Sequence, residues 1–470
     1  MNTRTLAATV ALLGVTGCVT IPREAGFGDV QHLLADRGIG RVHWNQDSDE
    51  DARVAAHMNE LLGRPMDVNE AVQVALLNNP ELQATYEDLS IAQADLVGAG
   101  LLKNPVFDGE FKFASGEGPA IELAVVSDFL DVLYIPARKR IAGAAFEQAK
   151  VRVAGRVVEF ANRTRWAFYA AQASAQLLEL RRAALEATAA SYDLARRLHE
   201  AGNINDLTHA SEQASYEQAK LDLAEAELRA VEDREAFTTL LGLDVPTATL
   251  AGRLADLPTV EPATDGLERR ALGRNLRVAA ARAQIESSAQ ALGLSRSMGL
   301  FPDAEAGVAA EREDGEWAIG PAVSLPIPLF NQGQPAVSQA AAELRRARHE
   351  HASLAIRIRS AVRVATARVA VARQRAEQFR NVLLPLRSEI TRQTQLHYNG
   401  MFIGAFDLIR AKQEEVETGA QYVQALRDYW LARAHLDALV DGWFEDGSIS
   451  AARPRSETST VRTSSEAAHD

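Results

Sequence analysis

The sequence predicts a mainly α-helical chain in which long coiled-coil helices carry two short β-hairpins, four strands per chain. Three observations predict it. Hydrophobic residues make up 47% of the 470 residues but aromatics only 6%, and the excess of Ala, Leu, Glu, Gln and Arg is the composition of long helices, not of an ordinary globule. Helical character runs from Pro136 to His199 with no internal proline, a rod of roughly 95 Å at ~1.5 Å per residue. Between helical stretches the hydrophobic period falls to two on both sides of a glycine-bearing turn, which marks a hairpin, and a second hairpin candidate stands at the equivalent place later in the chain.

The N-terminus reads as a processing signal. Arg4 supplies a positive charge, Leu6 to Val15 is a short apolar run, and Val15-Thr16-Gly17-Cys18 resembles a bacterial lipobox. Residues 1–17 are therefore expected to be removed, and Cys18, the only cysteine, to become an acylated N-terminus. Val19 follows, not the Asp that in many such lipoproteins holds the product at the inner membrane. Residues 18–66 read as a lipid-anchored segment, irregular and polar from Val19 to Pro65, an ordered wrap or a tether. A helix begins near Asp67, paired with Glu70 in a capping box, passes Pro80 and runs to about Val97.

Next comes the first hairpin, Pro105 to Leu130, where Phe107, Phe111 and Phe113 alternate with Asp108, Glu110 and Lys112. The rod from Pro136 ends at Gly202, and a second rod spans Leu207 to Leu241. Its apolar positions Leu207, Ala210, Ala214, Leu221, Ala224, Leu228 and Val231 follow a heptad with Glu217 as the one break. The same order then returns: a helix from Glu268 to about Ser297, a hairpin from Pro302 to Pro326, a rod from Pro335 to His397 with a bend expected at Pro385, and a last rod from Ala405 to Val440. Pro105 and Pro302 stand 197 apart, and the Leu-His-x-x-Gly runs ending at Gly202 and Gly400 stand 198 apart. Duplication explains both offsets, with a first repeat at 67–246, a second at 247–442 and a tail at 443–470 whose Ser, Thr, Arg and Glu content predicts disorder.

Composition also excludes functions. The net charge of −13 argues against a nucleic-acid partner, and the Arg345 to Arg363 cluster reads better as a salt-bridged helix face. His349 and His351 stand two apart and do not face each other on a helix, and His199-Glu200 lacks the second His of a zinc-protease motif. Hence no enzyme, metal or cofactor is expected. Four strands cannot close a membrane barrel, but three chains would pool about twelve, within the known range. A soluble hairpin cap on a helical bundle stays open as the alternative.

Three stretches carry a family resemblance: DVNEAVQVALLNNPELQATYEDLSIAQADLVGAG from Asp67, VSLPIPLFNQGQ from Val323, and the closing segment from Leu396 to Gly442. Together they resemble the outer-membrane efflux protein (TolC-like) family over roughly Asp67 to Gly442, and IPLFNQGQ looks closer to members serving heavy-metal pumps than to drug-pump members. The resemblance implies a homotrimeric α/β barrel tunnel in the outer membrane of a Gram-negative bacterium, conducting substrates passively outward. Its partners would be a periplasmic adaptor, an inner-membrane transporter and outer-membrane lipid. The competing class is a periplasmic coiled-coil adaptor or scaffold lipoprotein. In the resembled family the tips Gly202-Asn203 and Gly400-Met401 would meet the adaptor, each glycine taking a left-handed conformation. Asp407 would form an acidic ring at the periplasmic gate. Arg410 stands where a second acidic residue is common and would partly cancel that ring, and His397 with Asp206 would form a latch. The plainer reading of these residues is polar side chains on solvated helix ends.

Overall fold

The computed structural model describes residues 22–112, 120–127, 131–261, 263–298, 305–313, 316–324, 329–330 and 332–444. Cys18, residues 1–17, the hairpin turns and the tail beyond 444 lie outside them.

The segment expected to be irregular instead holds two helices, α1 (Phe27–Ala35) and α2 (Asp49–Leu62). Their signals are short: Val30 and Leu34 give α1 one buried turn, and Ser48 with Asp51 closes a capping box on α2. The Ser48 amide donates to Asp51 at 3.0 Å and His43 lies 2.6 Å from it, which together hold the Asp51 carboxyl at about 2. Phe27, Trp44 and Tyr86 form a ring cluster, and the Trp44 indole donates to Glu87 at 3.0 Å, so the segment is packed onto the body.

Helix α3 (Val68–Asn78) starts at the expected capping box: Asp67 accepts from Asn69 and Glu70, and Glu70 accepts from the Asp67 amide at 2.9 Å. Asn79 then turns extended, ψ 124°, because a residue before proline avoids helical geometry, and α4 (Pro80–Gly98) follows. Strands β1 (Val106–Lys112) and β2 (Ala120–Ser127) lead to α5 (Asp131–Glu200) and α6 (Asp206–Leu241). The second series is α7 (Leu267–Arg274), α8 (Leu276–Met298), β3 (Glu305–Glu313), β4 (Glu316–Ser324), α9 (Gln334–Gln378), a π-helical turn (Phe379–Leu383), α10 (Leu384–Asn399) and α11 (Ala405–Val440).

Two differences from expectation have physical causes. The helix expected from Glu268 is broken at Asn275, ψ 119°, whose side chain caps the Val278 amide at 3.0 Å as Asn79 caps Glu81 in the first series. No proline follows it, so the sequence lacks the signal that Pro80 supplies. At Pro385 the missing amide is absorbed by the wider π turn just before it.

The sheet is antiparallel in the order β1-β2-β3-β4, the two hairpins meeting through β2 and β3. The long helices form a wall. Helix α6 packs along α5, α5 along α11, and α11 along α9 and α10. The core lies mid-wall and includes Phe160, Phe168, Phe237, Ile358 and Tyr429. Across this level runs the connection from Leu243 to Gly266. Its carbonyls at Ala251, Ala255 and Pro258 accept from Gln172 of α5, Trp430 of α11 and Arg373 of α9, at 2.6, 2.7 and 2.9 Å. Glu261 fastens its end, accepting from Arg373 at 2.8 Å, from Arg433 at 2.7 Å and from the Tyr429 hydroxyl. Burial opposes ionisation of Glu261, but these donors hold its carboxyl below the ordinary value. Trp443 and Phe444, the last described residues, are buried here too.

Candidate functional site

The candidate site has three parts: the helix-hairpin tips, the free edges of the wall, and the sheet.

At the first tip Gly202 has φ +73° and forms the helix-ending motif expected of it: its amide reaches the His199 carbonyl at 2.9 Å, and the Asn203 amide reaches Leu198 at 2.8 Å. Asn205 caps α6 through the Thr208 amide at 2.9 Å. Asp206 is taken by His199 of its own turn, Nε2 to Oδ1 2.7 Å, and not by His397. A ladder of rings that sequence reading missed backs this turn: His199 stacks on His209 at 4.7 Å, and His209 adjoins Tyr192.

The second tip uses the same motif one residue later. The left-handed residue is Met401, φ +62°, while Gly400 has φ −81°. The amides of Met401 and Phe402 reach Tyr398 and His397 at 2.9 and 3.0 Å. A Cβ at 400 would stand 2.7 Å from the Phe402 ring, so a larger residue there would displace that exposed ring, which meets His397 edge-on at 6.0 Å. Met401 and Phe402 are 93% and 79% exposed, an apolar point on a polar tip. Asp407 accepts from the Gly404 amide at 3.2 Å and so caps α11, a structural task that sequence reading did not assign. Arg410, one turn on, is exposed and has no carboxylate within ion-pair distance among the described residues. Above it, Arg387 pairs with Glu414, and Arg181 with Glu417 at 2.6 Å.

In the wall, α6 and the α9–α10 pair hold the outer places. Leu207, Leu221, Leu228 and Val231, the expected seam of α6, are 58–74% exposed. On the opposite edge Val371, Val382, Leu386 and Ile390 are exposed. Each edge therefore presents an apolar stripe that no other described residue covers.

In the sheet, cross-strand pairing aligns Phe107 with Val125 and Val125 with Val308, and aligns Glu110 with Glu122 and Glu122 with Glu311. Alternation then gives one face of Phe107, Phe111, Val308, Ile319 and Val323, and another bearing Asp108, Glu110, Glu122 and Glu311. Among the described residues both outer strands are unpaired on their far side. No described helix is long and apolar enough to cross a membrane.

Residues 135–243 match the outer membrane efflux protein family. The chain is 21% identical over 388 residues to the cobalt-zinc-cadmium resistance protein CzcC of Cupriavidus metallidurans, covering 80% of this chain and 90% of that one. Among solved structures it superposes on the CmeC outer membrane channel of Campylobacter jejuni with a TM-score of 0.68 at 15% identity, covering 87% and 92% of the two chains. It also superposes on the open state of the MtrE outer membrane channel of Neisseria gonorrhoeae, with a TM-score of 0.65 at 18% identity and coverage of 80% and 89%.

Proposed function

We propose that the chain is an efflux channel of the outer membrane efflux protein (TolC-like) family, three copies of which close into the exit duct of a tripartite pump. The observation that carries this reading is the pair of unlike edges. A wall whose α6 edge is apolar, and whose α9–α10 edge is apolar and differently built, is suited to head-to-tail association, which closes into a ring of three when each contact turns the next copy by a third of a circle. The sheet has the same property, since β1 and β4 are unpaired edges that β4 and β1 of neighbours complete. Three copies give twelve strands, apolar outward to lipid and acidic inward, with the helical wall continuing into the periplasm.

In this assembly the two repeats, 67–246 and 247–442, contribute alternating hairpins and rods. The tips at Gly202-Asn203 and Gly400-Met401 face a periplasmic adaptor, which joins the duct to an inner-membrane transporter. Asp407 recurs three times around the axis near the tips, with Arg410 one turn behind it. Residues 1–17 are removed and Cys18 is acylated, which holds the N-terminal segment at the outer membrane of a Gram-negative cell. Similarity to a cobalt-zinc-cadmium resistance protein supports divalent metal cations as cargo, which the acidic inner face of the sheet would suit. The duct performs no chemistry on its cargo.

The test is reconstitution. Protein purified from membranes in detergent is expected to have trimer mass by light scattering, to migrate faster on gels when unboiled, and to give discrete conductance steps in planar bilayers. A Cys18→Ala protein that is a soluble, elongated monomer without conductance would replace the duct by a periplasmic scaffold.

A further inference from the structure

Antiparallel pairing places all four strand ends that adjoin helices at one end of the sheet, through the pairs Val106 with Val126, Ser127 with Ala306, and Glu305 with Ser324. Around that end large apolar side chains stand free. Leu101 and Leu102 precede β1, Val132 follows β2, and Leu329 with Phe330 follows β4; Phe330 is 95% exposed. One or two helical turns away lie Arg138, Lys139 and Arg140 of α5 and Arg296 in the last turn of α8. The two groups adjoin directly. Arg138 donates to the Leu101 carbonyl at 3.4 Å, and a Cβ on Gly100 would stand 3.3 Å from Cδ of Lys139.

In the wall many arginines meet carboxylates, as Arg156 does Asp88 at 2.7 Å and Arg433 does Asp437 at 2.9 Å, although single cations such as Arg410 do not. Here three cations without such a partner lie beside one apolar cluster. Lys139, Arg140 and Arg296 are exposed, and among the described residues none has a carboxylate within ion-pair distance, in a chain of net charge −13. From Val132 to Lys139 is ~10 Å along α5, comparable to the roughly 5–8 Å of interfacial zone on each side of a bilayer. Apolar side chains at the acyl boundary, with long cations reaching past them to the phosphates, fit this spacing.

We propose that this collar binds anionic phospholipid headgroups of the periplasmic leaflet, Leu101, Leu102, Val132, Leu329 and Phe330 entering the acyl boundary while Lys139, Arg140 and Arg296 hold the phosphates. The proposal rests on the outer-membrane reading and adds to it a lipid preference. In a trimer the collar carries nine such cations. The charges that neutral lipids cannot match select an anionic headgroup.

The experiment uses the full chain in phosphatidylcholine vesicles that contain a fraction of lipid brominated high in the acyl chain, as either phosphatidylcholine or phosphatidylglycerol. Phe330→Trp places a fluorescent reporter in the collar, while native Trp317, isolated by comparison with Trp317→Phe, reports the sheet. Expected is quenching of the Phe330→Trp reporter at least about fivefold more effective, per mole fraction, from brominated phosphatidylglycerol. That preference falls to near unity in Lys139→Gln/Arg140→Gln/Arg296→Gln. Equal quenching by the two lipids, or a preference that survives the triple substitution, overturns the proposal. If Trp317 is quenched and the collar reporter is not, the collar fails and the membrane-embedded sheet stands. If neither is quenched, both fall.

Discussion

Leu221→Asp/Leu228→Asp should break the ring without unfolding the chain. The two side chains are 61% and 60% exposed in the single chain. Complete burial of a leucine contributes about 1.5–3 kcal/mol, so covering what remains contributes about 1–2 kcal/mol for each. Two per interface give about 2–4 kcal/mol, or roughly 30- to 1,000-fold in association, before the cost of desolvating two carboxylates is added. Asp in a helix interior costs at most about 0.7 kcal/mol at each position, so helix content should hold. Light scattering in detergent and unboiled gel migration should show monomer at concentrations where wild type is trimer, with unchanged far-ultraviolet circular dichroism. A head-to-tail contact makes a second demand: Val371→Asp/Leu386→Asp on the opposite edge must do the same. An intact trimer in either double variant refutes the edge-to-edge arrangement.

Other expectations follow from single positions. Gly202, Gly242 and Gly442 all have positive φ, but a Cβ at Gly202 meets nothing, at Gly242 it meets the Asn78 carbonyl at 3.0 Å, and at Gly442 it overlaps the Arg274 carbonyl. Substitution by Ala should therefore cost about 1 kcal/mol at 202, more at 242 and most at 442, and thermal midpoints that do not rank this way contradict the geometry. His435 is pushed down to about 4 from 6.5, first by burial and then by Arg368, and stacks on Trp166 at 5.8 Å. A depressed folded value means stability present above pH 6.5 is lost as pH falls toward 4, at most about 3 kcal/mol, and His435→Phe should flatten that part of the melting profile. Asp407→Ala should lower stability by about 1 kcal/mol through the lost cap and also reduce divalent-cation block of single-channel current; unchanged block would take Asp407 out of the gate. Cysteines at Asn203 and Met401 should crosslink to adaptor in whole cells, and absence of both adducts would place the tips elsewhere.

What the sequence disclosed and what it hid divide by how local the cause is. Asp67, Glu70, Pro80 and Gly202 act within a few residues, and the helix start, the break and the first turn follow from them directly. Asn275 repeats the task of Asn79 without a proline behind it, so only the fold reveals that break. The second tip misleads for a related reason. Ten residues separate His397 from Asp407, against seven between His199 and Asp206, and in the longer turn Met401, not Gly400, takes the left-handed place. A left-handed methionine costs roughly 1 kcal/mol, so the motif has moved against local preference. Side-chain partners were the least legible feature. His199 and Asp206 are neighbours across one turn, and proximity within the turn decides their pairing over any partner on another hairpin. The heptad of α6 was legible as a stripe, but not as one its own chain leaves bare. Periodicity records that a face must be covered and is silent about which molecule covers it, and only the order α6, α5, α11, α9–α10 places that stripe at an edge. Because the opposite edge is built from different residues, the proposed closure would depend on two sequences that never touch among the described residues of one chain. The fold of a single copy would then constrain the proposed ring through what it leaves uncovered at its two sides.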